Sequence, residues 1–217
     1  MHLKRNKIGN FWAVPRKGTK YLAVPSHNAK KSMPLVVILR DILGLVKNKK
    51  ELQRILNEKQ IQINHKEIRN TNYPVGLFDV INIKKIKKNY RATLSHGKKM
   101  IFEEIKDKES ETKIFKVLNK TLIPGKKIQV NLNSGKNLLT KEKVKTGDSV
   151  LLNLKDSKIL KVIQIKKGAK VFVFEGKHAG ISGKVDDILE RGGKQIVKIT
   201  ADHKKVNVWI KNILAIE

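Results

Sequence analysis

The chain has 217 residues, with 48 Lys and Arg against 19 Asp and Glu, a formal charge of +29. Soluble domains usually hold a net charge of magnitude about 2–8, so this chain calls for a polyanionic partner, nucleic acid first. Zero cysteine excludes disulfides, thiolate metal sites and cysteine nucleophiles, and fits a reducing compartment. The longest apolar run, Leu35-Val36-Val37-Ile38-Leu39, is too short for a membrane span or a signal sequence. Aromatics make up 5%, which argues against recognition mainly by stacking bases. Composition therefore describes an intracellular, soluble, polyanion-binding protein.

The first fifty residues carry 12 basic side chains and 1 acidic one, the strongest bias in the chain. Residues 1–31 mix His2-Leu3-Lys4-Arg5, Arg16-Lys17 and Lys30-Lys31 with Pro, Gly, Ser and Asn. They lack any sustained apolar period, which predicts an extended basic arm that orders against a partner. At Ser32 the pattern changes. Ser32 is placed to cap a helix with Pro34 in its first turn, and Leu35, Ile38, Leu39, Ile42, Leu43 and Val46 follow at helical spacing. Asn48 with Glu51 three residues on predicts a capped second helix, with Leu52, Ile55 and Leu56 facing the core and Arg54 outward. Two alternating strands follow, Ile61-Gln62-Ile63 and Asp79-Val80-Ile81-Asn82-Ile83. Residues 32–85 thus read as a compact helix-helix-strand module.

From 86 to 165 the pattern is nearly all β, with hairpins around Ser95-His96-Gly97-Lys98, Asn133-Ser134-Gly135-Lys136 and Lys155-Asp156-Ser157-Lys158, the spacing of a small barrel or sandwich. Residues 166–217 are again strand-rich. Val171-Phe172-Val173-Phe174 runs into the loop Gly176-Lys177-His178-Ala179-Gly180, and Arg191-Gly192-Gly193-Lys194 turns a later hairpin. The fold class is α+β, mostly β.

Gly176, Gly180, Gly183 and Val185 after that strand resemble the KOW motif of small Src-homology-3-like barrels. The module at 32–83 resembles the αL RNA-binding motif of the ribosomal S4 superfamily. With the basic arm and the run from Tyr73 to Ile81, the whole chain resembles the archaeal and eukaryotic small-subunit ribosomal protein family S4e. Two positions depart from the pattern. Many αL modules place Arg and Asp in the first turn of the opening helix, where this chain has Leu35-Val36-Val37. The following turn commonly reads Asn-Gly or Asp-Gly, where this chain has Asn64-His65, so His65 is expected at positive φ.

The resemblance implies a structural constituent of the small ribosomal subunit in the cytoplasm. It implies ribosomal RNA and neighbouring ribosomal proteins as partners, and no membrane, small-molecule substrate, cofactor or homo-oligomer. Binding would rest on phosphate neutralisation and counterion release, with RNA shape read ahead of base identity. The expected contacts fall in three sets: Lys4, Arg5, Lys7, Arg16, Lys17, Lys20, Lys30 and Lys31 of the arm; Lys47, Lys49, Lys50, Arg54, Lys66 and Arg69 of the two-helix module; and Gly176, Lys177 and His178 of the KOW loop, where glycines permit close backbone approach. A ribosome-assembly factor and a KOW-type transcription-elongation partner are the alternatives.

No catalytic signature emerges. Ser134-Gly135-Lys136 would need a glycine at position 130 to form a phosphate loop, and Val130 stands there. The six histidines are dispersed without metal-ligand spacing. The pairs Glu103-Glu104 and Asp186-Asp187 are adjacent, and neighbours on a strand point to opposite faces.

Overall fold

The computed structural model describes residues 3–124, 127–140, 144–201 and 204–216; His2 and His203 lie outside the described residues. The chain divides into two compact units, one ending at Glu111 and the other beginning at Thr112. Among the described residues no helix is long and apolar enough to cross a membrane.

The first unit opens with residues 3–31, which contain only the two-residue strands β1 (Leu3–Lys4) and β2 (Tyr21–Leu22) and one short 3-10 turn. The segment is nevertheless anchored. β1 and β2 pair antiparallel, and Trp12 (1% exposed) and Leu22 join the unit's core. The Phe11 carbonyl accepts from the Met100 amide at 2.8 Å, and Lys99 Nζ donates to the Trp12 carbonyl at 3.1 Å. Charge pattern alone did not reveal this packing, because the large apolar residues here occur singly, without a helical or strand period.

Ser32 lies in β3 (Ser32–Pro34), which pairs with β6 (Pro74–Gly76). Its hydroxyl donates to the Asn28 carbonyl at 2.7 Å and caps no helix; the residue preceding the helix is Pro34, which has no side chain able to cap. The helix that follows is short: one turn of α1 (Leu35–Val37), widened to π geometry over Ile38–Ile42. Its residues 35–39 are all buried, so the core wraps the turn on every side and the expected amphipathic face is lost. The second helix, α2 (Lys49–Asn57), forms as its capping pattern predicts. Asn48 Oδ1 accepts from the Glu51 amide at 2.9 Å, and Glu51 Oε2 accepts from the Lys47 amide at 2.7 Å. Leu52 and Leu56 face inward.

The main sheet of this unit has five antiparallel strands in the order β5 (Lys66–Glu67), β4 (Ile61–Ile63), β7 (Val80–Ile83), β8 (Lys88–Leu94), β9 (Met100–Ile105). β8 and β9 therefore continue the sheet begun by β4 and β7, with Ile81 opposite Tyr90 and Thr93 opposite Ile101. The turn between β4 and β5 has Asn64 at φ +51° and His65 at φ +60°, the two left-handed residues of a type I′ hairpin. Asp79 locks this corner. Its carboxylate accepts from the Gly76 amide (2.6 Å) and from Asn64 Nδ2 (2.7 Å), while Asn64 Oδ1 accepts from the Val80 amide (3.0 Å). A short helix, α3 (Asp107–Ser110), closes the unit, and its Ser110 carbonyl lies 3.2 Å from His65 Nε2.

The second unit holds two five-stranded antiparallel sheets. One has the order β12 (Asn137–Thr140), β11 (Lys127–Leu132), β10 (Thr112–Ile123), β13 (Ser149–Asn153), β14 (Ile159–Ile163). The other has the order β18 (Lys204–Trp209), β17 (Lys194–Ala201), β16 (Ser182–Arg191), β15 (Lys170–Val173), β19 (Ile213–Ala215). Inward residues of the second sheet, Val171, Val173, Val185, Val197 and Ile199, form its core. Gly183 is required by close approach: a Cβ there would sit 2.5 Å from the Thr200 carbonyl oxygen. Gly192 and Gly193, at φ +56° and +69°, make the type I′ turn between β16 and β17.

Candidate nucleic-acid interface

Most side chains expected to meet RNA point into solvent. In residues 3–31, Lys4, Lys7, Arg16, Lys17, Lys20, Lys30 and Lys31 are exposed, carried by a segment whose apolar residues hold it to the core. Arg5 differs from its neighbours. Its Nε donates to the Thr19 carbonyl (2.7 Å), Nη1 to the Pro15 carbonyl (2.7 Å) and Nη2 to Thr19 Oγ1 (3.0 Å). The guanidinium fork thus closes a loop of its own chain, and most of its donors are already engaged.

The second set gathers on α2 and the β4–β5 hairpin. Lys49 and Lys50 lie in the first turn of α2, and Arg54 follows Lys50 by four residues on the same face. The Arg54 side chain is 85% exposed and 3.8 Å from Glu58, a loose pair that leaves its fork accessible. Gln53 Nε2 donates to the Arg69 carbonyl at 3.2 Å, which brings exposed Arg69 beside this helix. Lys47 and Lys66 are exposed as well. The opening helix contributes nothing here: Leu35, Val36 and Val37 are at most 2% exposed. Arg40, one turn later, is clamped by Asp41 at 2.7 and 2.8 Å, and that hydrogen bond holds its pKa above the ordinary arginine value.

The third set belongs to the second unit. Gly176 (φ +99°) and Gly180 (φ +91°) bracket the loop after β15. The Gly180 amide donates to the Val173 carbonyl at 2.8 Å, pinning the loop base and presenting exposed Lys177 and half-buried His178 at its tip.

One cluster was missed in sequence reasoning. Lys84, Lys85, Lys87 and Lys88 are all exposed at the β7–β8 connection around Ile86, and Lys87 has positive φ. Lys84 and Lys88 each pair with one carboxylate, Glu67 at 4.0 Å and Glu104 at 2.9 Å. The sequence signal is plain, four lysines in the five positions 84–88, and it lies outside the three expected contact sets. Among the described residues no group of three His, Asp or Glu is placed to hold a metal ion.

Known proteins resemble this chain over most of its length. A family model described as Ribosomal family S4e matches residues 86–159, and an S4 domain model matches residues 33–81. Small ribosomal subunit protein eS4 of Methanosphaera stadtmanae is 40% identical over 86% of this chain and 79% of its own length. The eS4 protein of Nanoarchaeum equitans is 32% identical over 99% of this chain and 94% of its own. The crystal structure of the 30S ribosomal protein S4e from Thermoplasma acidophilum superposes with a TM-score of 0.73 at 26% identity, covering 86% of this chain and 95% of that one.

Proposed function

The chain belongs to the ribosomal S4e family, and from that premise we propose that it is a structural, non-enzymatic constituent of the small ribosomal subunit that binds and orders ribosomal RNA beside neighbouring ribosomal proteins in the cytoplasm. The observation that carries this reading is the match to eS4 proteins along 79% and 94% of their length. The charge layout supports it: cations cover exposed turns, loops and a helix face while apolar residues hold each segment in place. The arm, α2 with its hairpin, and the loop at 176–178 act as separate phosphate-binding patches, and the sheet after Gly168 acts as the KOW module. Lysines neutralise phosphates and release condensed counterions, which orders RNA by shape.

Two measurements test this. Sedimentation of cell lysate should place the chain with mature small subunits and translating ribosomes; recovery only on immature particles would mean an assembly factor. RNA affinity of the free protein should fall about 10³–10⁵-fold between roughly 50 and 200 mM salt, as for 6–10 phosphate contacts. A flat salt response would remove the counterion mechanism.

A further inference from the structure

Trp209 is one of only two tryptophans in the chain, and its environment is opposite to that of Trp12. Trp12 is sealed at 1% exposure, whereas Trp209, at the end of β18, is 41% exposed. Strand register shows that this exposure is organised. Leu189 pairs with Ile196, and Ile196 pairs with Trp209, so the three line up across one face of β16, β17 and β18. The opposite face carries the core residues Val197 and Val208. Leu189 is 39% exposed and Ile196 half-buried, giving a narrow apolar strip open to solvent.

The surroundings of the strip are cationic. Arg191 and Lys198 each lie two residues along the same face, from Leu189 and Ile196. Asp187, opposite Lys198, is matched by Lys167 at 2.8 Å, a hydrogen bond that holds its carboxyl below the ordinary aspartate value. A hollow of about 280 Å³ lined by Glu190, Gly193, Gln195, Ile210 and Lys211 also borders the indole, but Glu190 and Gln195 place it toward the strand face opposite the strip. Lysine is depleted at protein interfaces, and a three-residue strip flanked by Lys198 as well as Arg191 fits them less well. An aromatic ring beside cations is instead the arrangement that holds unpaired nucleotides, bases on the ring and phosphates on the cations.

We propose that Leu189, Ile196 and Trp209 form a stacking platform for an unpaired base of the bound RNA, with Arg191 and Lys198 taking the flanking phosphates. The proposal rests on the RNA-binding reading above and adds one single-strand contact to an otherwise shape-based interface. A duplex hides its base faces and does not engage the ring in this way.

The test uses the full chain and its own fluorescence, with an oligoadenylate of about eight nucleotides and a duplex of equal length as probes. Oligoadenylate should quench the emission, and Trp209→Phe should abolish that quench while binding within a few-fold of the parent. Trp209→Ala should lower oligoadenylate affinity about tenfold and duplex affinity less than about twofold. Equal quenching in the parent and Trp209→Phe, or unchanged oligoadenylate affinity in Trp209→Ala, would overturn the platform while salt-sensitive RNA binding persists. Failure to bind either RNA would instead remove the RNA-binding reading, and the platform with it.

Discussion

The two units handle their unusual side chains in opposite ways. In the first, an irregular basic segment sends Trp12 into the core and leaves its lysines in water. In the second, regular strands leave Trp209 at the surface and draw a lysine inside. Lys116, on β10, is 3% exposed; its Nζ donates to the Ile210 carbonyl and, at 2.6 Å, to the Ile213 carbonyl, partners 94 and 97 residues away. Residue type predicts exposure where local geometry decides it. Where strands distant in sequence are brought together, register decides, and it can bury a charge or expose an indole.

Removing Trp12 is the largest expected break in this contrast. Trp12→Ala should destabilise the first unit by about 3–5 kcal/mol, the usual cost of a large aromatic lost from a packed core. Chemical denaturation followed by far-ultraviolet circular dichroism would read it. If the first unit keeps its midpoint, residues 3–31 are not part of its core, and the contrast between the units fails.

Lys116 provides the next effect, with a definite sign. Burial lowers its pKa from the ordinary 10.5 to about 8, because the charged form is poorly solvated there. The unfolded chain keeps this proton up to about pH 10.5, so between pH 8 and 10.5 the unfolded state binds more protons. Stability of the second unit should therefore rise across that window by about 2–3 kcal/mol, with the full penalty present below pH 8. Lys116→Met should flatten that rise. At neutral pH its relief of the penalty is opposed by two carbonyls left without their donor. Identical pH profiles for parent and variant would mean that Lys116 titrates as it does in water.

Much of this fold was legible in the sequence because its signals were local. Asn48 and Glu51 lie three residues apart, and the cap forms within one turn. His65 was expected at positive φ from the turn alone, and it is there, with Asn64 beside it in the same region. Reading failed where the partner was remote. Ser32 has the chemistry of a cap, but pairing between β3 and β6 fixes it in a strand instead. Residues 86–105 read as strands from their own alternation, but only hydrogen bonding to β7 shows which sheet they join. The candidate site was legible as a set of cations and illegible as geometry: nothing near Arg5 announced that Thr19 and Pro15 would take its donors.

Smaller effects sharpen the picture at the first unit's surface. Asn48→Ala should cost about 1 kcal/mol, since the Glu51 amide loses its acceptor at a solvent-exposed helix end. Thermal unfolding of the two proteins side by side would show it. An unchanged midpoint would mean that tertiary packing of Leu52 and Leu56 alone holds α2.

Arg54 and Arg5 make the finest comparison, because both were expected to grip phosphate and only one has its fork accessible. Arg54→Gln should leave stability within about 0.5 kcal/mol, because the pair with Glu58 is exposed and long. It should lower the salt slope of RNA binding by about one phosphate contact. Arg5→Gln should do the reverse: its lost donors free the loop closed by Pro15 and Thr19, so protection of amides 16–20 against hydrogen exchange falls even without RNA. If Arg5→Gln instead lowers the salt slope as Arg54→Gln does, with amide protection intact, then Arg5 faces the phosphates and the loop closes without it.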